Sequence, residues 1–87
     1  MPAEPEIEWT SPDGQRRVII ERQAHGFYRW YEEYYVVEEE HGDVYEYWRI
    51  ASWPISGLYP SILDAQNDAA SQLAWLSALL AGGAASD

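Results

Sequence analysis

Side chains that bind metal ions are concentrated in one short segment of the chain, "EEEHGD", which contains Glu38, Glu39, Glu40, His41 and Asp43. If this segment is extended, alternation sends Glu38 and Glu40 to one side and Glu39 to the other, so at most two carboxylates meet His41. Calcium loops need several oxygens at fixed spacing around a Gly, and zinc needs three or four nitrogen or sulfur ligands. The pattern therefore favours a solvated hairpin tip, and the sequence predicts neither a metal site nor a cofactor.

Catalytic side chains are present but are not arranged in a known motif. The chain has no Cys, and neither Gly-x-Ser-x-Gly, a Walker loop nor Gly-x-Gly-x-x-Gly occurs. His25 precedes Gly26 and is typical of a turn. Glu32 and Glu33 are adjacent, and neighbouring strand residues point to opposite faces, so they share a site only if a bulge turns one of them. The sequence predicts that the protein is not an enzyme.

Charge and length limit the partners and the organisation of the chain. The 87 residues carry a net charge of -10, and all five basic residues are Arg at or before Arg49. This balance disfavours binding to nucleic acid and to acidic membranes. The acidic N-terminus resembles no signal peptide, and "LAWLSALLAGGAA" is too short to span a bilayer. We expect a cytoplasmic protein with a disordered leader (1–5), a single domain (6–81) and a disordered tail (82–87).

The elements that must position these residues are strands followed by a helix. Apolar alternation and β-branched residues predict strands over residues 7–10, 16–23, 27–40 and 44–53. They are separated by the turn signals "SPDG" at 11–14, "AHG" at 24–26 and "HGD" at 41–43. The third strand is long, so we expect an irregularity at Glu32 and Glu33.

The last element is predicted to be one helix. Ser61 is its N-cap, and Gly82 with Gly83 ends it. Its apolar stripe consists of Ile62, Ala65, Ala69, Leu73, Leu76 and Leu80. The fold class is therefore α+β: a four-stranded antiparallel meander (β-β-β-β-α) with one C-terminal helix packed across one face.

Charge pairing predicts which strand residues face each other. A three-residue loop at 24–26 places Glu21 opposite Arg29 and Arg17 opposite Glu33, whereas a two-residue loop opposes two Arg residues. The other two turns place Ile7 opposite Val18 and Val36 opposite Arg49. The face predicted to lie under the helix then carries Ile7, Trp9, Val18, Ile20, Tyr28, Trp30, Tyr34, Val36 and Ala51. Trp75 lies off the helical stripe, and we expect it to pack at the sheet edge.

The opposite face of the sheet is the candidate functional surface. Arg–Glu pairs occupy its early part, but an apolar patch follows toward the third hairpin, and one helix cannot cover both faces. Four covers of the patch are compatible with the sequence: the leader, the loop 55–59, its own long side chains or another molecule. The candidate interface residues are Tyr31, Tyr35, Val37, Trp48 and Ile50.

Several of these segments also resemble a family of short uncharacterised bacterial proteins. The shared features are the "SPDG" turn (11–14), the long Glu-rich aromatic strand, Tyr47-Trp48, the "SGLYPS" segment (56–61) before an Ala-rich helix, and Trp75-Leu76. The resemblance spans residues 7–76 and implies no activity. Members of that family often have Pro just before the Trp-Leu pair, where this chain has Ala74, so the resemblance implies a longer helix here.

Three functions are compatible with these observations. The first is a non-enzymatic protein-interaction module, or a homodimer, that uses the aromatic sheet face. The second is an acidic mimic of nucleic acid that binds a basic protein, for which carboxylates should be spaced along one surface. The third is small-ligand or glycan binding on exposed Trp and Tyr rings, which requires a concave site.

Overall fold

The computed structural model describes residues 4–53 and 56–85. Its elements are β1 (Glu4–Thr10), β2 (Arg16–Arg22), β3 (Tyr28–Glu40), β4 (Asp43–Ile50), α1 (Ile62–Gln72) and α2 (Ala74–Ala85). The strands form one antiparallel sheet in the order β1-β2-β3-β4, which confirms the α+β class and the four-stranded meander. Residues 1–3 of the predicted leader and 86–87 of the predicted tail, like residues 54–55 after β4, lie outside the described residues.

The prediction of a single C-terminal helix is wrong, because the chain forms two. Leu73 is extended (φ -122°, ψ 106°). Its N–H donates to the Ala69 carbonyl at the end of α1, and its own carbonyl accepts from Leu76 and Ser77 at the start of α2. Neither Pro nor Gly marks the break. Leu73 and Leu76 are both buried, so tertiary packing outweighs local helix propensity at this point. The second helix also continues past Gly82, which was predicted to end it.

Two of the predicted turns close as expected. In the first, the N–H of Gly14 donates to the Ser11 carbonyl over 2.9 Å. In the second, the N–H of Gln23 donates to the Phe27 carbonyl over 2.7 Å, which leaves a three-residue loop. The predicted pairs of β2 and β3 follow from that loop, with Glu21 opposite Arg29 and residue 17 opposite residue 33.

The third turn is centred one residue earlier than predicted. His41 and Gly42 both have positive φ, 54° and 83°, which is the signature of a two-residue type I′ turn. Glu40 therefore pairs with Asp43, and Val36 pairs with Tyr47 instead of Arg49. The register differs from the predicted one by two residues, an even number, so every side chain keeps its predicted face.

The strand β1 differs from its prediction in the same way. Ile7 lies opposite Ile20 instead of Val18. The sheet irregularity is also here, between Pro5 and Ile7, whereas the pairing of β3 is regular through Glu32 and its neighbour. Pro has no N–H to donate, which accounts for a bulge at this position in an edge strand.

The hydrophobic core lies between the two helices and the first part of the sheet. It contains Val18, Ile20, Trp30, Ala65, Ala69, Leu73 and Leu76. Most of the predicted helical stripe is therefore buried, and Ile62, Leu80 and Trp75 pack against the core while remaining partly exposed. Ser61 caps α1, since its hydroxyl oxygen accepts from the N–H of Asp64 over 3.1 Å.

Two indole–carboxylate hydrogen bonds fix the helices on the sheet. Nε1 of Trp30 on β3 donates to Oδ2 of Asp68 on α1 over 2.9 Å. In the second bond the donor is on a helix and the acceptor is on the sheet: Nε1 of Trp75 on α2 donates to Oε2 of Glu32 on β3 over 2.7 Å. Trp30 and Glu32 are almost fully buried, so each bond satisfies a polar group that would be costly to leave unpaired.

The sheet extends beyond its helical layer. The strand β3 pairs with β2 along residues 28–34 and with β4 along residues 33–40. The paired residues 35–48 therefore project past β2, and we call them the distal hairpin. The remaining strands and the helices form the proximal part. The Cα radius of gyration is 14.6 Å, against about 12 Å for a compact chain of this length.

Candidate interaction surface

All five predicted interface residues lie on one face of the sheet, opposite the helices, which we call the outer face. The ladder pairs Tyr35 with Trp48 and places Ile50 opposite Glu33. Strand alternation puts Tyr31 and Val37 on this same face. Their degrees of exposure differ, however, and divide the outer face into two parts.

The proximal part of the outer face is covered by its own charged and aromatic side chains. Arg17 Nε lies 2.5 Å from Glu33 Oε1, and Arg29 Nε lies 2.6 Å from Glu21 Oε1. The Arg17 guanidinium also lies 4.1 Å from the centre of the Trp48 ring. Such a cation–π contact contributes roughly 0.5–1 kcal/mol at an exposed site.

This cover is sufficient to bury an aliphatic side chain. Ile19 is 6% exposed although it points away from the helices. Its neighbours on the same face of β2 are Arg17 and Glu21, and its partner on β3 is Tyr31. Burial raises the pKa of the Tyr31 phenol, with the Glu21 charge adding to the effect. Long side chains thus close this part of the face, and Tyr31 belongs to the closed part.

The distal part of the outer face remains open. Val37 is 59% exposed and Ile50 is 58% exposed. Trp48 is only partly buried, and Tyr35 meets it edge-on with ring centres 5.3 Å apart. Val44, also 59% exposed, is a diagonal neighbour of Val37 on this face. We call Tyr35, Val37, Val44, Trp48 and Ile50 the distal patch.

Sequence reasoning missed Val44 as a member of this surface. The predicted strand began at this residue, but its side chain was assigned to neither face. Alternation from Trp48 and Ile50 places it on the outer face, where the structure pairs it with Glu39. That alternation was the available signal, and it gives the same face in either register of the turn.

Two tyrosine–glutamate hydrogen bonds cross the distal hairpin, one on each face. The Tyr35 hydroxyl donates to Glu46 Oε1 and the Tyr47 hydroxyl donates to Glu38 Oε1, both over 2.7 Å. The bond to a carboxylate raises the pKa of each phenol, because it favours the protonated form. These diagonal contacts hold the two strands in register without help from the helices.

The residues first considered for chemistry do not converge. Glu32 binds Arg16 and Trp75 on the helix side, and Glu33 binds Arg17 on the outer face. The adjacent carboxylates are therefore separated by the sheet, as alternation predicts. Among residues 4–53 and 56–85, no group of three or more His, Cys, Asp or Glu side chains could hold a metal ion.

The acidic side chains of the distal hairpin are also divided between its faces. Glu38 lies on the helix side and Glu46 on the outer side, while His41 at the tip has Nε2 3.5 Å from Glu40 Oε1. A phosphate-like row of charges on one surface is therefore not formed by these residues.

Comparison of the chain with protein-family models, with curated proteins and with solved structures found no match. Within the described part of the chain, no helix is long and apolar enough to cross a membrane.

Proposed function

We propose that the protein is a small, non-enzymatic interaction module that binds another protein through the distal patch. The observation that carries the proposal is the exposure of three aliphatic side chains, Val37, Val44 and Ile50, beside the partly exposed Trp48. Several exposed apolar side chains near one another are typical of an interaction site, whereas single exposed apolar residues are ordinary.

The composition of the patch supports a protein partner. Aromatic anchors surrounded by aliphatic side chains are enriched in protein interfaces, where Trp and Tyr carry much of the binding energy. The Tyr35–Trp48 pair is held in place by Glu46 and by Arg17 before any partner arrives. A preformed surface loses little conformational freedom on binding.

The charge of the rim indicates what kind of partner fits. Exposed Glu39 and Glu46 lie beside the valines in the ladder, and the chain as a whole has a net charge of -10. The partner would therefore present an apolar surface with basic residues around it, since opposite charges at a rim speed association. Nucleic acid and acidic membranes remain disfavoured for the same reason.

The two alternative functions have less support. An acidic mimic of nucleic acid needs its carboxylates on one surface, and those of the distal hairpin are split between Glu38 and Glu46 on opposite faces. Glycan binding at the distal patch needs a free aromatic face, and Arg17 occupies one face of the Trp48 ring. Both arrangements favour a protein partner over these ligands.

A capture experiment with matched variants tests the proposal. The full chain is immobilised and incubated with extract of the native organism, beside the variants Ile50→Lys and Leu63→Lys. Leu63, on α1, is the control, because it is 61% exposed and so matches Ile50 at 58%. Both substitutions add the same charge at an exposed position.

We expect specific partners to be captured by the wild type and by Leu63→Lys but not by Ile50→Lys, with circular dichroism showing that all three are folded. Identical capture by both variants would mean that the distal patch is not the interface. Loss of capture by both would show that the effect comes from charge alone.

A further inference from the structure

The two edges of the sheet are protected to different extents. The edge strand β1 contains Pro5, a bulge between residues 5 and 7, and the charged residues Glu6 and Glu8. These are the features by which proteins prevent an edge from pairing with another chain. The opposite edge strand, β4, also has charged side chains, but it contains no Pro and its pairing with β3 is regular over its whole length.

The backbone groups on the free side of β4 can be identified from one hydrogen bond. The N–H of Ala51, just after the strand, donates to the Glu32 carbonyl on β3 over 2.8 Å. Alternate residues of an antiparallel strand bond to the same neighbour. Residues 43, 45, 47 and 49 therefore bond to β3, and Val44, Glu46, Trp48 and Ile50 direct their N–H and carbonyl groups to the free edge.

The free edge of the proximal part of β3 is closed by the chain itself. The loop after β4 returns to this strand, where Tyr28 and Tyr59 exchange two backbone hydrogen bonds of 2.8 Å. The N–H of Trp30 donates to the Ser56 hydroxyl oxygen over 3.1 Å. Along β3, the chain thus closes the proximal side and leaves β4 as the open edge.

From this geometry we infer that two copies of the chain associate by antiparallel pairing of their β4 strands, with Tyr47 of one copy opposite Tyr47 of the other at the twofold axis. We assign the edge to a second copy because, in this register, two β4 strands oppose no like charges and bring exposed aliphatic side chains together. The edge is formed by backbone groups, so the inference does not rest on the proposed function, although the side chains of Val44 and Ile50 belong to both surfaces.

The register follows from the side chains that each alternative would oppose. A twofold axis perpendicular to the sheet keeps each face of the sheet on the same side in both copies. Residues that lie opposite each other must share a face, so in every allowed register one residue lies opposite its own copy at the axis. Centring on Glu46 opposes two carboxylates, which is unfavourable. Centring on Tyr45 leaves Trp48 and Ile50 without strand partners. Centring on Trp48 leaves Asp43, Val44 and Tyr45 without one.

Centring on Tyr47 pairs residues 44–50 with those of the other copy, leaves only Asp43 without a strand partner and opposes no like charges. It places Val44 opposite Ile50 of the other copy, so that two exposed aliphatic side chains cover each other on the outer face. It also places Tyr45 opposite Arg49, an aromatic residue opposite a cation. All outward backbone groups of Val44, Glu46, Trp48 and Ile50 gain partners in this arrangement.

Disulfide trapping tests the register directly, since the chain contains no Cys. Residues opposed at the axis have Cα atoms about 4.5 Å apart in a pair without mutual hydrogen bonds, and a disulfide requires roughly 4.4–6.8 Å. We expect Tyr47→Cys to form a covalent dimer rapidly under mild oxidation. Glu46→Cys is the control, because its two copies would be separated by more than about 7 Å.

Two outcomes of the trapping experiment would overturn the inference. Equal rates for the two variants would mean that the strands do not pair in this way, and faster trapping of Glu46→Cys would exclude the register. In urea both variants should cross-link at the same slow rate, which shows that the difference depends on the folded strand.

A second experiment acts on the backbone. The N–H of Glu46 points to the free edge, so Glu46→Pro leaves the bonds to β3 intact but removes a donor from the interface. By sedimentation velocity we expect the wild type and Glu46→Ala to be dimers and Glu46→Pro to be a folded monomer. Salt should strengthen the wild-type dimer, because it screens repulsion between two acidic chains.

A wild-type protein that sediments as a monomer of 10.0 kDa at the highest soluble concentration would overturn the inference. A Glu46→Pro dimer as tight as the wild type would also do so. Trapping and sedimentation need no partner protein, so pairing of the β4 edges can fail while capture by the distal patch succeeds, and the reverse.

Discussion

The proximal part and the distal hairpin are built from the same kinds of residues but differ in what covers them. Both contain β-branched side chains, aromatic rings and glutamates. Val18 and Ile20 in the proximal part are fully buried under the helices, while Val37 and Val44 in the distal hairpin are more than half exposed. The composition of a strand thus indicates that it is a strand, and the position of the helices decides whether its apolar residues form a core.

The carboxylates of the two regions also have different roles. In the proximal part Asp68 and Glu32 accept hydrogen bonds from indoles at the sheet–helix boundary. In the distal hairpin Glu46 and Glu38 accept them from phenols at the surface. Hydrogen bonds to buried groups are costly to break, because the remaining partner cannot turn to water. The same chemistry should therefore matter more in the first region.

The largest expected effect comes from a matched pair of substitutions that compares the hydrophobic core with the distal patch. We expect Ile20→Ala to reduce the free energy of unfolding by about 2–5 kcal/mol, through lost burial and a cavity. Ile50→Ala, 58% exposed on the outer face, should change it by less than about 1 kcal/mol. Urea denaturation of both variants measures the difference. Equal losses would contradict the assignment of Ile50 to an uncovered surface.

Removal of the indole acceptor should have the next largest effect. Asp68→Ala removes the acceptor of the buried Trp30 N–H and of the Tyr59 hydroxyl, at a cost of about 1–3 kcal/mol. The control is Asp64→Ala in the first turn of α1, which loses only a favourable charge–dipole interaction of about 0.3–1 kcal/mol. Thermal unfolding followed by Trp fluorescence compares them. An equally small effect of both would show that the indole bond contributes little.

A stabilising substitution tests the break between the helices. Leu73 already has the extended conformation that a residue before Pro prefers, and Ala74 is the first residue of α2. We expect Ala74→Pro to raise the free energy of unfolding by about 0.4–1 kcal/mol, by restricting the unfolded chain. Ser77→Pro, inside α2, should be strongly destabilising. Destabilisation by Ala74→Pro would indicate that α1 and α2 are continuous in solution.

The smallest effect is a dependence on alkaline pH. Hydrogen bonds to carboxylates raise the pKa of Tyr35, Tyr47 and Tyr59, the last through Asp68. A folded-state pKa above the ordinary value of 10 contributes stability that is complete below pH 10 and is lost as the pH rises through the raised pKa. We therefore expect the melting temperature to fall above pH 10.

The phenolate absorbance near 295 nm gives the corresponding titration. Tyr35→Phe and Tyr47→Phe should each remove one phenol from the late part of the titration curve. In both variants Tyr59 should still lose its proton late, when the proximal part unfolds. If either substitution leaves the late part of the curve unchanged, the corresponding hydrogen bond does not form in solution.

Much of the fold could be predicted because its determinants are local. Turn residues such as Gly14 and Gly26, together with apolar alternation, predicted four antiparallel strands, and Ser61 predicted the start of α1. Charge pairing predicted the register of β2 with β3. The two registers that differed did so by an even number of residues, which preserved the assignment of faces. The candidate surface followed from that assignment, except for Val44.

The sequence by itself determined which side chains share a face, because strand alternation has a fixed period of two. Only the tertiary structure decided which of them are covered. The break at Leu73, the length by which β3 and β4 project past β2, and the closure of the outer face by Arg17 and Arg29 all depend on contacts between distant segments. Such contacts depend on how volumes and charges meet in space, which no local pattern specifies.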